Sequence, residues 1–203
     1  MRHFSFSRFL FLTVAVALST AMAGHSAMAQ TRPEPLQSSV SEAPADTLDS
    51  LFSQLKRTRD ARQAKRISER IWTRWRDSGS ATTNLLLQWA DKAISDQKNG
   101  LALDLLDQVI VLKPDFAEGW NRRATLHYMM GNHSKSMTDI NRVLALEPRH
   151  FGAIAGLAAI LSDSGNDELE LRAWEQMLEI YPANHQAQEK VADLTDKLTG
   201  SKI

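Results

Sequence analysis

Pro114, Pro148 and Pro182 stand 34 residues apart, twice over, and each closes an apolar helical stripe, in VLKP, LEP and IYP. Proline has no amide hydrogen and its ring collides with the preceding turn, so each position must end a helix and begin a corner. The spacing therefore prescribes a repeated unit. Residues 83–116, 117–150 and 151–184 lie beneath one another without a gap, and their columns agree beyond the prolines. Ala90, Ala124 and Ala158 align, as do Val109, Val143 and Met177, then Ile110, Leu144 and Leu178, then Leu112, Leu146 and Ile180. In each unit a first amphipathic helix closes at a polar turn (Gln97 to Asn99, Gly131-Asn132, Gly165-Asn166) and a second closes at the proline. A helical hairpin of this kind cannot bury its apolar face alone, so the units must stack. No stretch shows the strict alternation of a half-buried strand. The fold class is all-α.

The flanks read differently. Arg2 and Arg8 precede the apolar run FLFLTVAVAL, and the segment closes with Ala27-Met28-Ala29, so residues 1–29 are expected to be a secretory signal peptide cleaved before Gln30. A membrane anchor would need about 20 apolar residues, and Ser19 and Thr20 interrupt the run. The expectation is export, in a bacterium to the periplasm. Residues 30–46 carry Pro33, Pro35 and Pro44 without a helical stripe and read as a flexible linker. The repeat domain then spans 47–198. Residues 47–82 form a divergent basic hairpin, with Leu48, Leu51, Phe52 and Leu55 on one stripe and Ala64, Ile67, Ile71 and Trp75 on the other. This hairpin is expected to cap the solenoid. Residues 185–198 supply a capping helix with Val191 and Leu194 on one face.

The unit resembles the tetratricopeptide repeat (TPR) family, whose 34-residue helix-turn-helix pattern carries W-x2-L-G-x2-Y, then A-x3-F, then P. Trp120 falls on the pattern's Trp, Ala124 on its small residue, Ile140 on its second-helix aromatic and Pro148 on its closing proline. Arg123 stands where the pattern has Leu, His127 where it has Tyr, and Glu170 where it has a second small residue. The stretches WNRRATLHYMMG and RVLALEPRHFGAIAGLA are also similar to exported repeat proteins of alphaproteobacteria. The resemblance implies a right-handed superhelical solenoid with terminal capping helices, whose first helices line a concave surface that binds a protein or peptide.

Composition and spacing exclude most chemistry. The chain has no Cys, which rules out a disulfide scaffold, a thiolate metal site and a thiol nucleophile. Its 24 basic and 24 acidic residues cancel, so no global charge draws it to nucleic acid. His127, His133 and His150 lack the i, i+4 spacing of two metal ligands on one helix. There is neither a glycine-rich phosphate loop nor a nucleophile elbow. The expectation is a protein that is not an enzyme, with no catalytic residues, no cofactor and no metal.

Binding is the remaining reading. The repeat register turns Leu87, Gln88, Asp91 and Ile94 toward the groove, then Asn121, Arg122, Thr125 and Tyr128, then Ala155, Gly156, Ala159 and Ser162. The resemblance implies that Asn and basic side chains on this face hold a peptide's terminal carboxylate, chemistry that Asn121 and Arg122 carry. A merely solvated helix face stands beside that reading, and the third set offers no basic residue. Arg123 points into the hairpin, where a guanidinium needs carboxylate partners, and reads as an internal tie to a neighbouring unit. His127 reads as a core histidine with a satisfied ring nitrogen. Trp72, Trp75, Trp89, Trp120 and Trp174 lie on apolar stripes and read as core.

Charge is segregated along the chain. Residues 56–76 hold nine basic side chains against Asp60 and Glu69, and Arg62, Arg66, Arg70 and Arg74 form a ridge of every fourth residue. Residues 163–180 carry six acidic side chains against Arg172, so the two ends of the solenoid are expected to differ in sign. The ridge could meet an acidic protein, an anionic polymer or lipid head groups; the two ends could join head to tail in self-association; or both could be solvated. The reading is an exported scaffold holding a protein or peptide in its groove. The alternative is a binder of anionic envelope components through the basic hairpin, with contact to a membrane surface. Nucleic acid is not expected as a partner.

Overall fold

The computed structural model describes residues 47–200, and all regular structure among them is α-helical. The expected signal peptide (1–29) and linker (30–46) lie outside the described residues. Helix α1 (Leu48–Arg57) pairs with α2 (Ala61–Trp75), α3 (Ala81–Ser95) with α4 (Asn99–Leu112), α5 (Ala117–Met129) with α6 (His133–Leu146), and α7 (Phe151–Asp163) with α8 (Asp167–Ile180). Helix α9 (His185–Gly200) packs on α8.

The 34-residue period is visible in the backbone itself. Helices α4, α6 and α8 each end two residues before a proline. The intervening Lys113, Glu147 and Tyr181 have φ of −140°, −140° and −131° and ψ of 76°, 94° and 73°, the extended region that a following proline enforces. At the other turn Gln97, Gly131 and Gly165 share a left-handed φ of 59°, 73° and 67°. Past them the amides of Lys98, Asn132 and Asn166 donate to the carbonyls of Ala93, His127 and Leu161 at 2.8, 2.8 and 2.9 Å, which closes each first helix with the 6→1 bond of a Schellman motif. Gln97 is the one described non-glycine residue with positive φ.

Small residues set how closely the helices approach. Ala90, Ala124 and Ala158 are buried at the crossing of each hairpin, facing the second-helix column Ala102, Ser136 and Glu170, which is buried too. The two polar members of that column are satisfied: Ser136 Oγ donates to the Ala124 carbonyl at 2.8 Å, and Glu170 accepts from Trp174 Nε1 at 3.1 Å. Between repeats, a Cβ on Gly119 would lie 2.7 Å from Val109 Cγ1, so α5 closes on α4 only because that position lacks a side chain. Arg123 ties the same seam, as expected. Its guanidinium donates twice to Asp139 on α6, at 2.8 and 2.7 Å, and once to Asp107 on α4, at 2.6 Å. These bonds hold its proton more tightly than usual.

The N-terminal hairpin differs from the expectation. It does not extend the stack beside repeat one. Leu51, Phe52, Leu55, Ile67, Ile71 and Trp75 share one core with Phe151, Ile154, Trp174 and Met177 of repeat three, while the core of repeat one (Leu86, Leu87, Ala90, Leu106, Val109) is separate. Helix α1 touches α8, and Arg149 clasps it, with Nη1 2.7 Å from Asp49 and the guanidinium carbon 4.2 Å above the Phe52 ring. The hairpin therefore folds back onto the far repeat. At the C-terminal end α9 meets the expectation of a cap: Ala187 and Leu194 are buried, Val191 is half-buried and the remaining faces are polar.

The turn geometry gives a first prediction. A side chain in the left-handed region costs about 1 kcal/mol, so Gln97→Gly is expected to raise, and Gly131→Ala to lower, the free energy of unfolding by about that amount. Urea denaturation of both variants checks it, and equal shifts in the same direction would contradict it.

Candidate functional site

The first helices α3, α5 and α7 form the inner face, and at its centre lies a carboxylate that the sequence reading did not single out. Glu118, on the first turn of α5, is 1% exposed. Burying an ion is costly unless partners surround it, and this one has three. Asn121 Nδ2 donates to its Oε2 at 2.9 Å, Arg122 Nε lies 2.8 Å from Oε1, and His150 Nε2 lies 3.3 Å from Oε2. The Arg122 and His150 approaches are close but poorly aligned for hydrogen bonding, so Arg122 meets the carboxylate through charge and His150 through proximity. His150, fully buried, caps α7 by accepting from the Ala153 amide at Nδ1, 3.1 Å away.

The aromatic end of α2 closes over this cluster. Trp75 stacks on His150 with centroids 4.0 Å apart and planes at 12°, and Trp72 stands edge-on to His150 at 5.5 Å. Gly152 makes room: a Cβ there would sit 2.6 Å from Trp72 Cη2. Asn84, Glu118 and Gly152 occupy the same repeat position, and all three serve the N-terminal hairpin or its connection. Asn84 binds Asp77 and Ser78 in the α2–α3 turn at 2.9 and 2.6 Å.

This arrangement corrects several expectations. Asn121 is buried and committed to Glu118. Arg122 is bound to Glu118 and, at 3.5 Å, to Asp91, so neither side chain is an unoccupied carboxylate ligand. Leu87 belongs to the core of repeat one, and Ile94 packs against that core. Leu87, Gln88 and Asp91 line a recess of about 220 Å³ whose opposite wall is Thr73, Arg76 and Asp77 of the hairpin and its connection. Burial pushes the Asp91 carboxyl above its ordinary value, against the pull of Arg122.

What remains open of the inner face lies between α5 and α7. A cleft of about 100 Å³ is walled by Asn121, Thr125 and Tyr128, with Gly152, Gly156 and Ala159 opposite. Thr125 is exposed and its hydroxyl donates to the Asn121 carbonyl at 2.9 Å. Tyr128 stacks on His133 at 5.3 Å, and its bond to Asp163 holds its hydroxyl proton more firmly than usual. Ala155 is half-buried and Ser162 exposed. Small size at Gly156 has a packing reason as well, since a Cβ there would come within 3.3 Å of Ile140 Cδ1.

The ridge residues Arg62, Arg66, Arg70 and Arg74 are all exposed on α2. The expected polarity between two ends is corrected by the fold, because the basic hairpin rests on the acidic repeat instead of standing opposite it. Part of the acidic set is engaged within the chain: the buried Glu170 bonds Trp174, Asp163 lies 3.7 Å from His133, and Asp167 lies 2.7 Å from Lys197.

His127 is buried as expected, but its Nδ1 has no hydrogen-bond partner among the described residues. It lines a polar cleft of about 340 Å³ with Arg123, Lys135 and Asp139 on the side away from the hairpin. Of the tryptophans, Trp75 and Trp174 are core and Trp72 and Trp120 are half-buried, whereas Trp89 is 52% exposed. Trp89 sits on the side of repeat one where none of the described helices stacks. Among the described residues no helix is long and apolar enough to cross a membrane, and no group of three or more His, Cys, Asp or Glu could hold a metal ion.

A stack of helical hairpins with an inner cleft is a helical-repeat protein, and the comparisons specify which kind. The chain is 60% identical to a TPR repeat-containing protein of Rhizobium etli over 166 residues, 82% of this chain and 81% of that one. It belongs to the TPR repeat family. Among solved structures, the first TPR of Spaghetti (RPAP3) bound to the HSP90 peptide SRMEEVD superposes with a TM-score of 0.55 at 19% identity, covering 59% of this chain and 98% of that one. The crystal structure of MamA protein gives a TM-score of 0.51 at 15% identity, covering 73% and 79%. At these identities the likeness is one of fold. No family model matches the chain.

Two predictions follow from the geometry. In an unobstructed helix Gly152→Ala would stabilise by about 1 kcal/mol; against Trp72 it is expected to destabilise by about 1–3 kcal/mol and to speed amide exchange selectively in α1 and α2. Stabilisation without faster exchange would show that Trp72 does not press on this position. For His127, burial depresses the imidazole pKa. Its contribution to stability is therefore present above the unfolded value of about 6.5 and lost as pH falls through the folded value. His127→Leu is expected to flatten the acid side of the stability profile and to add about 1 kcal/mol by removing an unpaired buried nitrogen. Urea titrations at a series of pH values test both effects.

Proposed function

We propose that this protein is an exported, non-enzymatic scaffold of the cell envelope that binds a short extended segment of a partner protein on its inner face. The observation that carries the reading is the cleft between α5 and α7, where the exposed Thr125 and half-buried Tyr128 face a wall of Gly152, Gly156 and Ala159. A wall without bulk lets a peptide backbone approach closely, and the hydroxyls supply hydrogen bonds at its edge. A TPR neighbour holds a peptide, SRMEEVD, which supports a partner of the same kind here. Export rests on the leader-like residues 1–29, with the periplasm as destination in a bacterium.

The Asn121–Arg122 pair acts differently in this proposal from the carboxylate clamp that the family resemblance implies. With both side chains bound to Glu118, they stiffen the cleft wall. The second reading, binding of anionic envelope components, is favoured by the exposed ridge Arg62, Arg66, Arg70 and Arg74 on α2.

Affinity capture from envelope extract distinguishes them. The purified protein serves as bait beside Thr125→Trp, which fills the cleft from an exposed position, and beside the fourfold Arg→Glu reversal of the ridge. A defined protein lost with Thr125→Trp and kept by the ridge reversal is the expected result. Loss with the ridge reversal alone, steepened by salt, would replace the cleft with the ridge.

A further inference from the structure

The N-terminal hairpin, by folding back onto repeat three, leaves the outer side of repeat one without a neighbour among the described residues. In repeats two and three the corresponding side is a seam. Gly119 and Arg123 of α5 close on Val109 and Asp107 of α4, and Ala153 and Leu157 of α7 join Ile140 and Val143 of α6. The same repeat positions in α3 are Leu85 and Trp89, which are 43% and 52% exposed. Beside them Leu101, at the start of α4, is 51% exposed. An end that faces water must be polar, as α9 is at the other terminus.

The contrast within one register is sharper still. The polar cleft at repeat two is lined by Arg123, His127, Lys135 and Asp139. Its counterpart one repeat earlier is a cleft of about 280 Å³ lined by Trp89, Ala93, Leu101 and Leu105. At these four positions the chain places polar groups where the seam is internal and apolar ones where it is open, with Lys92, Asp96 and Lys98 also lining the open cleft. We propose that this open face of α3 and α4 is a homodimer interface, on which a second copy of the chain sits about a two-fold axis.

A second copy fits for three reasons. The face carries both a projecting ring, Trp89, and an apolar cleft beside it, so two copies related by a two-fold axis can each seat the other's ring. The rim is self-complementary in charge: Asp96 lies 3.3 Å from Lys92 and 3.6 Å from Lys98, and rotation brings acidic and basic groups of one rim against those of the other. Head-to-tail growth lacks a matching surface, because α9 turns polar residues outward. Helices of 15 and 14 residues offer a face about 20 Å long and about 20 Å wide. Two such faces, about 400 Å² each, bury roughly 800 Å² in total, the size of a weak and reversible interface, so association is expected only at micromolar concentrations and above.

Sedimentation equilibrium of the purified protein across that concentration range is the test. The expected result is a monomer–dimer equilibrium that stops at two. Trp89→Glu and, separately, Leu101→Glu should weaken it at least 100-fold with unchanged far-UV circular dichroism. Met129→Glu, a control at another exposed apolar position, should leave it intact. A protein that stays monomeric throughout would overturn the proposal, as would association that runs on past the dimer or is indifferent to both face variants. None of these outcomes bears on the cleft, which lies between other helices.

Discussion

A carboxylate with almost no contact with water sits where α2, α5 and α7 meet, and much of the molecule is arranged around it. Glu118 needs compensation, and the chain supplies Asn121 and Arg122 from its own helix and His150 from the next repeat. Holding His150 there fixes the start of α7, because the same ring accepts the Ala153 amide. It also creates a flat aromatic floor on which Trp75 lies. The position of the N-terminal hairpin thus depends on a polar requirement as much as on apolar burial. A purely apolar cluster would leave its angle of approach less defined, whereas one stacked ring and one edge-on ring specify it.

That fold-back changes what the charges do. The basic α2 and the acidic repeat three would repel or attract other molecules if they stood at opposite ends. Joined in one core, they do not stand at opposite ends of the stack. The ion pair that ties the hairpin down is a different one: Arg149, in the corner before α7, lies between Asp49 of α1 and Glu147. The hairpin also takes up part of the inner face, and the stretch near Thr125 and Tyr128 is what stays open. Any event that displaced α2 would expose Trp72 and Trp75 to water, and the cost of uncovering those rings keeps the hairpin closed.

The repeat architecture was legible in the sequence because it rests on local backbone rules. The prolines, the paired turn residues and the alanine columns each dictate a conformation or a spacing without reference to distant residues. Arg123 was legible for a related reason: a guanidinium in an aliphatic column demands carboxylates, and Asp107 and Asp139 answer it. The hairpin's destination was not legible. Its stripes say only that it must bury apolar surface, and repeats one and three both offer some. The one sequence signal lay in a column that does not match, Asn84, Glu118 and Gly152, where a buried acid and a missing side chain face the same visitor. For the same reason the groove-facing register placed Asn121 and Arg122 correctly on their helix but could not reveal that an acid three or four residues earlier had already engaged them.

Trp89 shows how one topological choice propagates. Read on its helix alone, it belongs to an apolar stripe and to a core, and in repeats two and three the same position is indeed covered. Had the N-terminal hairpin stacked on repeat one, Trp89 would be covered as well and Gly152 would need no exemption from a side chain. The hairpin instead covers the buried acid at the far repeat, and among the described residues nothing covers repeat one. An exposed tryptophan at a seam position is thus the direct counterpart of a buried glutamate some 30 residues away in sequence, because a single hairpin can cover only one of the two.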